Sequence, residues 1–398
     1  MSKVVRLNIH PASNETSNIV QLLNAQIESN IINKSDLAST LGIVRKSLDN
    51  ILKGERQELK LIEFVKICTY LSIDTNEALN DYMNSQETQM NELERIKKVK
   101  FINDHFDKTS LKQEGFYTGR GFNYEQFEER ICTFFNLNNI FEYAHIGGNA
   151  LFSKAKLTDD HKMRDFWVKC AIAEFKRINN PNDYSEEGLI QLLGNIRAYS
   201  QYEKKGFATV IKALYAVGIT VIVQKYGKKT SINGGTFWVN EKPCIVITDC
   251  GKKYAKIWET LLHEIYHVIE DLETISKMVY HVTDTSQPDV LLIEERATYW
   301  AQQYLLDDEA VRYISNNLSN PLEVDKFSKK QAIHPSIVYH RCIFSLEDRV
   351  LVERLAKIHN KQLIHSDIAL SALAVNPYKA DSIAVLADEV NKIFNQVG

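Results

Sequence analysis

KIWETLLHEIYHVIED, residues 256–271, contains the pattern His-Glu-x-x-His at His263, Glu264 and His267. Apolar residues at 257, 258, 261, 262, 265, 268 and 269 recur at helical spacing, with no Pro or Gly among them. The stretch therefore predicts an amphipathic helix with one buried face. On such a helix residues four apart share a face, so His263 and His267 are placed to hold one metal ion. Glu264 falls about a third of a turn away, beside the metal, where a general base for water belongs. Catalytic zinc keeps three protein ligands and one open position, so the chain must supply a third ligand elsewhere.

The rest of the composition narrows the setting. The chain has 398 residues, enough for two or three domains. With only 16 Gly and 7 Pro, it favours helix over a loop-rich β architecture. A net charge of −3 excludes a general polycation, so any nucleic-acid binding must come from a local patch. Six cysteines at 68, 132, 170, 244, 250 and 342 form no C-x-x-C, which argues against a zinc ribbon or redox pair and fits a reducing cytosol. The first residues, MSKVVRLNIHPASNET, lack an apolar signal core, and no apolar run approaches the span of a bilayer. The expectation is a cytoplasmic protein with no membrane partner. Its expected fold class is mostly α with a small β-sheet, an α+β arrangement.

In chain order, residues 1–16 read as a tail or short strand. Residues 17–83 read as a bundle of short helices: Ile19–Ser29, then Ser35–Leu41 with Ser35 as N-cap, a stop at Gly42, then Val44–Leu52 closed by Gly54, then Lys60–Leu71. Residues 84–200 read as a helical connector and intermediate region, rich in aromatics such as Phe116, Phe127, Phe134 and Tyr143 that suit a small core. Residues 201–350 hold a helix ending at Gly218, the strands ITVIVQ, GTFWVN and CIVITD, and the His-Glu-x-x-His helix. An edge strand is expected beside that helix, ready to pair with an extended peptide. Residues 351–398 complete the chain as a helical tail. Downstream of the two histidines, IEERATYWA predicts a helix whose Glu294 is the preferred third ligand, with Glu295 the next candidate; His281 could also serve, but from a loop without a helix's fixed geometry. The metzincin pattern is excluded, because Glu270 and Glu273 stand where Gly and His would be.

Two resemblances sharpen these readings. KSDLASTLGIVRKSLDNILKGERQELKLIEFVKICTYLSID resembles the repressor-type (XRE, HigA-like) helix-turn-helix, with its Leu-Ala-x-x-Leu-Gly turn and the core helix that follows. The resemblance implies an N-terminal helix-turn-helix bundle that binds double-stranded DNA. Arg45, Lys46 and Asn50 would face base edges, and Lys53, Arg56 and Lys60 would meet phosphates. It also implies a homodimer as the working form. Val44 stands where the family usually places a Ser or Thr cap.

Residues from about Ala171 to Phe344 resemble the ImmA/IrrE-type zinc metallopeptidase domain. The motifs are Ala216-Val217-Gly218-Ile219, Pro243–Thr248, Trp258–Glu264, Glu294 to Ala297 with Trp300-Ala301, and Ile333–Arg341. This likeness implies a zincin-like peptidase domain with Zn2+ on His263, His267 and Glu294 and with Glu264 as base. The implied function is cleavage of a regulatory protein, a repressor or antitoxin-like partner, in a stress, phage-defence or toxin–antitoxin circuit. The rival is a DNA-binding regulator or antitoxin whose zincin-like body is catalytically inactive. The chain departs from the family pattern at Tyr266, before the second His, and at Thr298, where Asn or Asp is usual. His281, Tyr339 and His340 stand as unranked candidates for an oxyanion donor.

Overall fold

Short apolar stripes on the N-terminal helices and two continuous apolar strands after residue 218 set the fold of two compact units, Met1–Lys100 and Phe101–Gly398. The computed structural model describes residues 6–8, 18–29, 31–53, 58–76, 78–79, 87–147, 159–230, 232–278, 280–282, 288–345 and 364–395.

In the first unit, β1 (Arg6–Asn8) pairs antiparallel with β2 (Glu58–Lys60). Helices α1 (Asn18–Glu28), α2 (Lys34–Leu41), α3 (Arg45–Leu52) and α4 (Leu61–Tyr70) share a core of Leu23, Leu37, Leu41, Leu48, Ile51 and Ile67. Helix α2 begins two residues earlier than expected, because Asn33 rather than Ser35 is its cap: the Asn33 side chain accepts from the Asp36 N–H at 2.9 Å. Ser35 is then free to accept from the Arg45 guanidinium at 2.9 Å. Gly42 turns the chain at φ 60°, and its N–H returns to the Ser39 carbonyl at 3.1 Å. A positive φ there strains any residue with a Cβ, which is why the turn takes glycine. Val44 occupies the cap of α3 without a side-chain hydrogen bond. Gly54 lies outside the described residues.

Helix α5 (Glu87–His105) carries the chain into the second unit, followed by α6 (Lys108–Glu114), α7 (Tyr124–Phe135), α8 (Asp159–Ile178), α9 (Glu186–Ile196) and α10 (Gly206–Ala216). Then come β3 (Thr220–Gln224), β4 (Gly234–Val239), β5 (Lys242–Ile247) and α11 (Tyr254–Glu270), the helix of the opening motif. The chain continues through α12 (Leu272–Met278), β6 (Tyr280–Val282), α13 (Pro288–Leu305), α14 (Asp308–Ser315), α15 (Pro321–Gln331) and α16 (Pro335–Ser345). It closes with α17 (Asp367–Leu370), β7 (Ala374–Val375) and α18 (Ile383–Asn395). The protein is thus mostly helical with a small mixed sheet, in the order β6-β4-β5-β3-β7. Strand β3 runs parallel to β5 and β7, and β4 runs antiparallel to β5 and β6.

Both faces of this sheet are covered. Val221, Val223, Ile245 and Ile247 point into a core shared with α10, α11 and α16, whereas Ile222, Cys244 and Val246 point into a core shared with α7, α8 and α18. Strands buried on two faces cannot alternate polar with apolar, which accounts for the unbroken runs VIV and CIVI. The aromatics of the intermediate region fill the second core: Phe116, Phe127, Phe134 and Tyr143 are all buried there. One expectation needs correction. Strand β4 is not an edge: β6 pairs with it at Gly235–Phe237, on the side away from β5. A three-residue strand has too few positions to show period-two alternation, so β6 leaves no sequence signal. Among the described residues no helix is long and apolar enough to cross a membrane.

The second core holds one unpaired acid. Glu174 on α8 is fully buried, and neither carboxylate oxygen has a hydrogen-bond partner among the described residues. Burial, with the nearby charge of Glu389, raises its pKa to about 8. Below its ordinary value the acid is protonated in both folded and unfolded chains. Above that value the unfolded chain releases its proton first, so this group's contribution to stability falls as pH rises towards 8 and levels off beyond. At about 1.4 kcal/mol per pH unit in that window, the expected loss is several kcal/mol. Glu174→Gln removes the ionisation. Urea melts at pH 5 and pH 8 should show a clear fall in the wild type and a much smaller one in the variant. Equal slopes in the two proteins would refute this reading of Glu174.

Candidate metal centre

Helix α11 presents His263 and His267 one turn apart, and α13 packs against it with Glu294 facing them. The three side chains converge: one ligand atom from each lies within 4.8 Å of the other two. His263 Nε2 is 3.0 Å from Glu294 Oε2, His267 Nε2 is 3.6 Å from Glu294 Oε1, and the two Nε2 atoms are 3.2 Å apart. His267 and Glu294 are buried and His263 is half-buried. Without an ion, burial opposes protonation of His263, but the hydrogen bond with Glu294 and the fields of Glu264 and Glu294 outweigh it and raise its pKa. Such a cluster of two imidazoles and a carboxylate is the donor set of a divalent transition metal with an open fourth position. These residues could hold a metal ion.

The outer nitrogens are held as well. His267 Nδ1 is 2.7 Å from Asp271 Oδ2, and His263 Nδ1 is 3.2 Å from Thr298 Oγ1. A proton on Nδ1 of His267, donated to Asp271, leaves the Nε2 lone pair aimed at the shared point. Thr298 is thus in place to orient His263, although the family pattern suggested Asn or Asp there. Asp271 was missed in the sequence reading. Its signal was present: it follows His267 by four residues on the same helical face. Asp271→Asn should weaken metal affinity by roughly 10- to 100-fold. Competition against a chromogenic chelator measures it, and unchanged affinity would show that Asp271 has no part in holding His267.

Glu264 lies next to the cluster rather than in it. It is buried, and Thr236 of β4 donates to its Oε2 at 2.8 Å. The close approach of strand to helix depends on Gly234, where a Cβ would lie 2.7 Å from Glu264 Oε1 and 2.8 Å from Thr260 Cγ2. Glu264, His263 and Glu294 share a cleft of about 370 Å³ between α11 and α13, which Asn233 also borders. The alternative ligand Glu295 is exposed and stands outside the three-residue cluster.

The other sequence candidates separate. His340 is buried and bonds Glu259 Oε2 at 3.2 Å, and Tyr339 is buried beside it in the first core; neither lines the cleft. The His281 side chain lies outside the described residues, its backbone pairing with Thr236. Tyr266 packs edge-on against His267 and lies 5.8 Å, centroid to centroid, from Trp300. In the first unit, Arg45 and Lys46 are exposed on the outer face of α3, Asn50 is half-buried, and Lys53 is exposed at its end. Leu48, Ile51 and Leu52 take the inner face. Lys60 is exposed ahead of α4, and Arg56 lies outside the described residues.

No family model matches the chain, and neither a curated protein nor a solved structure matches it.

Proposed function

We propose that the chain is a zinc-dependent endopeptidase with a DNA-binding head, acting on a regulatory protein of repressor or antitoxin type. The observation that carries the proposal is the convergence of His263, His267 and Glu294 in a cleft that also holds the Glu264 carboxylate. The residues present fit zinc: two imidazoles and one carboxylate, each braced from behind or paired with its neighbours. When bound, zinc supplies Lewis acidity, polarising a scissile carbonyl and making water a better nucleophile at neutral pH.

The chain's own residues do the rest. Asp271 and Thr298 fix the imidazoles of His267 and His263. Thr236 occupies Oε2 of Glu264, which leaves Oε1 to take the proton from the attacking water. Glu264 then returns that proton to the leaving amine, so the base becomes the acid and the cycle closes with no net proton change on the enzyme. Burial of Glu264 and His267 limits competing solvent around the proton path. The test is co-expression with the product of the neighbouring gene followed by mass spectrometry. Defined fragments should form with the wild-type chain, and an intact partner at full metal loading would count against the reading.

The head rests on a separate observation. Two helices joined through Gly42 place Arg45 and Lys46 on an exposed face backed by an apolar core. Arg and Asn suit guanine and adenine edges in the major groove. Binding of upstream DNA should weaken steeply with salt, and Arg45→Ala should lower affinity by roughly tenfold or more. Gel shifts at two salt concentrations measure both effects. A head that prefers no genomic fragment over random duplex would instead be a protein-docking module.

A further inference from the structure

We propose that Glu295 and Tyr299 form a subsite that selects a Lys or Arg side chain of the substrate near the scissile bond; this rests on the peptidase reading above. Besides the metal cluster and Glu264, the charged residues lining the cleft are Lys256 and Glu259 from α11 and Glu295 from α13. Glu259 is already doubly compensated. Lys256 Nζ lies 3.0 Å from its Oε1, and His340 Nε2 lies 3.2 Å from its Oε2. Burial alone would favour neutral Glu259, but the bond to His340 and the charge and hydrogen bond of Lys256 hold its pKa down to about 2. The same geometry takes up the cationic charge of Lys256.

Glu295 is left. It is exposed in the cleft, and no hydrogen bond or ion pair joins it to any described residue. It adjoins Glu294 in sequence, so it lies beside the metal cluster. One turn further on, Tyr299 lines the same cleft at 58% exposure. Residues four apart share a helical face, so a cation reaching the Glu295 carboxylate lays its aliphatic stem across the Tyr299 ring. That pairing combines a charge-assisted hydrogen bond with apolar contact between the stem and the ring. An acidic side chain would meet Glu295 unfavourably, with Lys256 already held by Glu259.

The test uses the full-length, zinc-loaded Glu264→Gln protein, immobilised and exposed to a pool of short synthetic peptides of randomised sequence. Bound peptides are sequenced by mass spectrometry. Lys and Arg should be enriched at one position by roughly tenfold, the size of one charge-assisted contact in a partly wet cleft. Adding Glu295→Gln should abolish the enrichment, and Glu295→Lys should reverse it towards Asp and Glu. Zinc content and melting temperature of each variant confirm that the fold is retained. Absence of basic enrichment, its persistence in Glu295→Gln, or a preference of the Glu264→Gln protein for acidic residues would each overturn the subsite. Captured basic peptides that wild-type protein never cuts would uphold the subsite while refuting the peptidase reading.

Discussion

Replacing His267 with Ala is expected to remove the bound metal and several kcal/mol of stability together. Three losses add. The first is linkage: an ion that binds only the folded chain stabilises it by about 4 kcal/mol when free metal exceeds the dissociation constant a thousandfold. The second is packing, since His267 has no exposed surface and its removal leaves a cavity beside the rings of His263 and Tyr266. The third is electrostatic. Asp271 and the buried Glu294 lose an imidazole partner at 2.7 Å and 3.6 Å, which leaves their charges less compensated. Elemental analysis and thermal melts with and without zinc separate these contributions. Zinc should raise the melting temperature of the wild type and leave that of the variant unmoved. A variant that still carries one metal per chain would show that the two histidines are not the core of the site.

The sequence made this cluster legible because its signals are local. His263 and His267 lie one turn apart on a helix whose apolar face is continuous, and Glu294 lies within a second periodic run. The strands β3 and β5 were legible for the opposite reason: burial on both faces removes alternation and leaves apolar blocks with Gly218 at one end. What escaped depends on contacts distant in sequence. The Thr236 bond to Glu264 spans 28 residues, and the His340 bond to Glu259 spans 81, and neither has a periodic signature. Strand β6 escaped by its shortness, and it takes the sheet edge beside β4. The Asn33 cap was misplaced by two residues because Asn33 and Ser35 are both good caps, and only the Asp36 N–H decides between them. Capping competition of this kind is settled by geometry rather than composition.

Glu264→Gln carries the largest expected effect on activity. The amide keeps the length and shape of the carboxylate, and its oxygen still accepts from Thr236, so the side chain stays beside β4. Zinc content and melting temperature should therefore match the wild type. The amide cannot accept a proton from water, and removal of a general base costs roughly two to four powers of ten in rate. A slow regulatory peptidase would then look inactive on a cellular timescale. Thr236 adds a structural reason to expect specificity in this result. The hydroxyl fixes one oxygen of the native carboxylate, so the proton must go to the other, and Gln offers no second oxygen there.

The most direct test of the account is a paired measurement on wild-type and Glu264→Gln protein, each co-expressed with the candidate partner and purified from the same cells. Zinc per chain and partner fragments are read from the same samples by mass spectrometry. One zinc per chain is expected in both proteins, with defined fragments from the wild type and an intact partner from Glu264→Gln. Equal fragmentation by both, or an intact partner with zinc-loaded wild type, would contradict the peptidase reading and leave the metal cluster as part of an inactive scaffold.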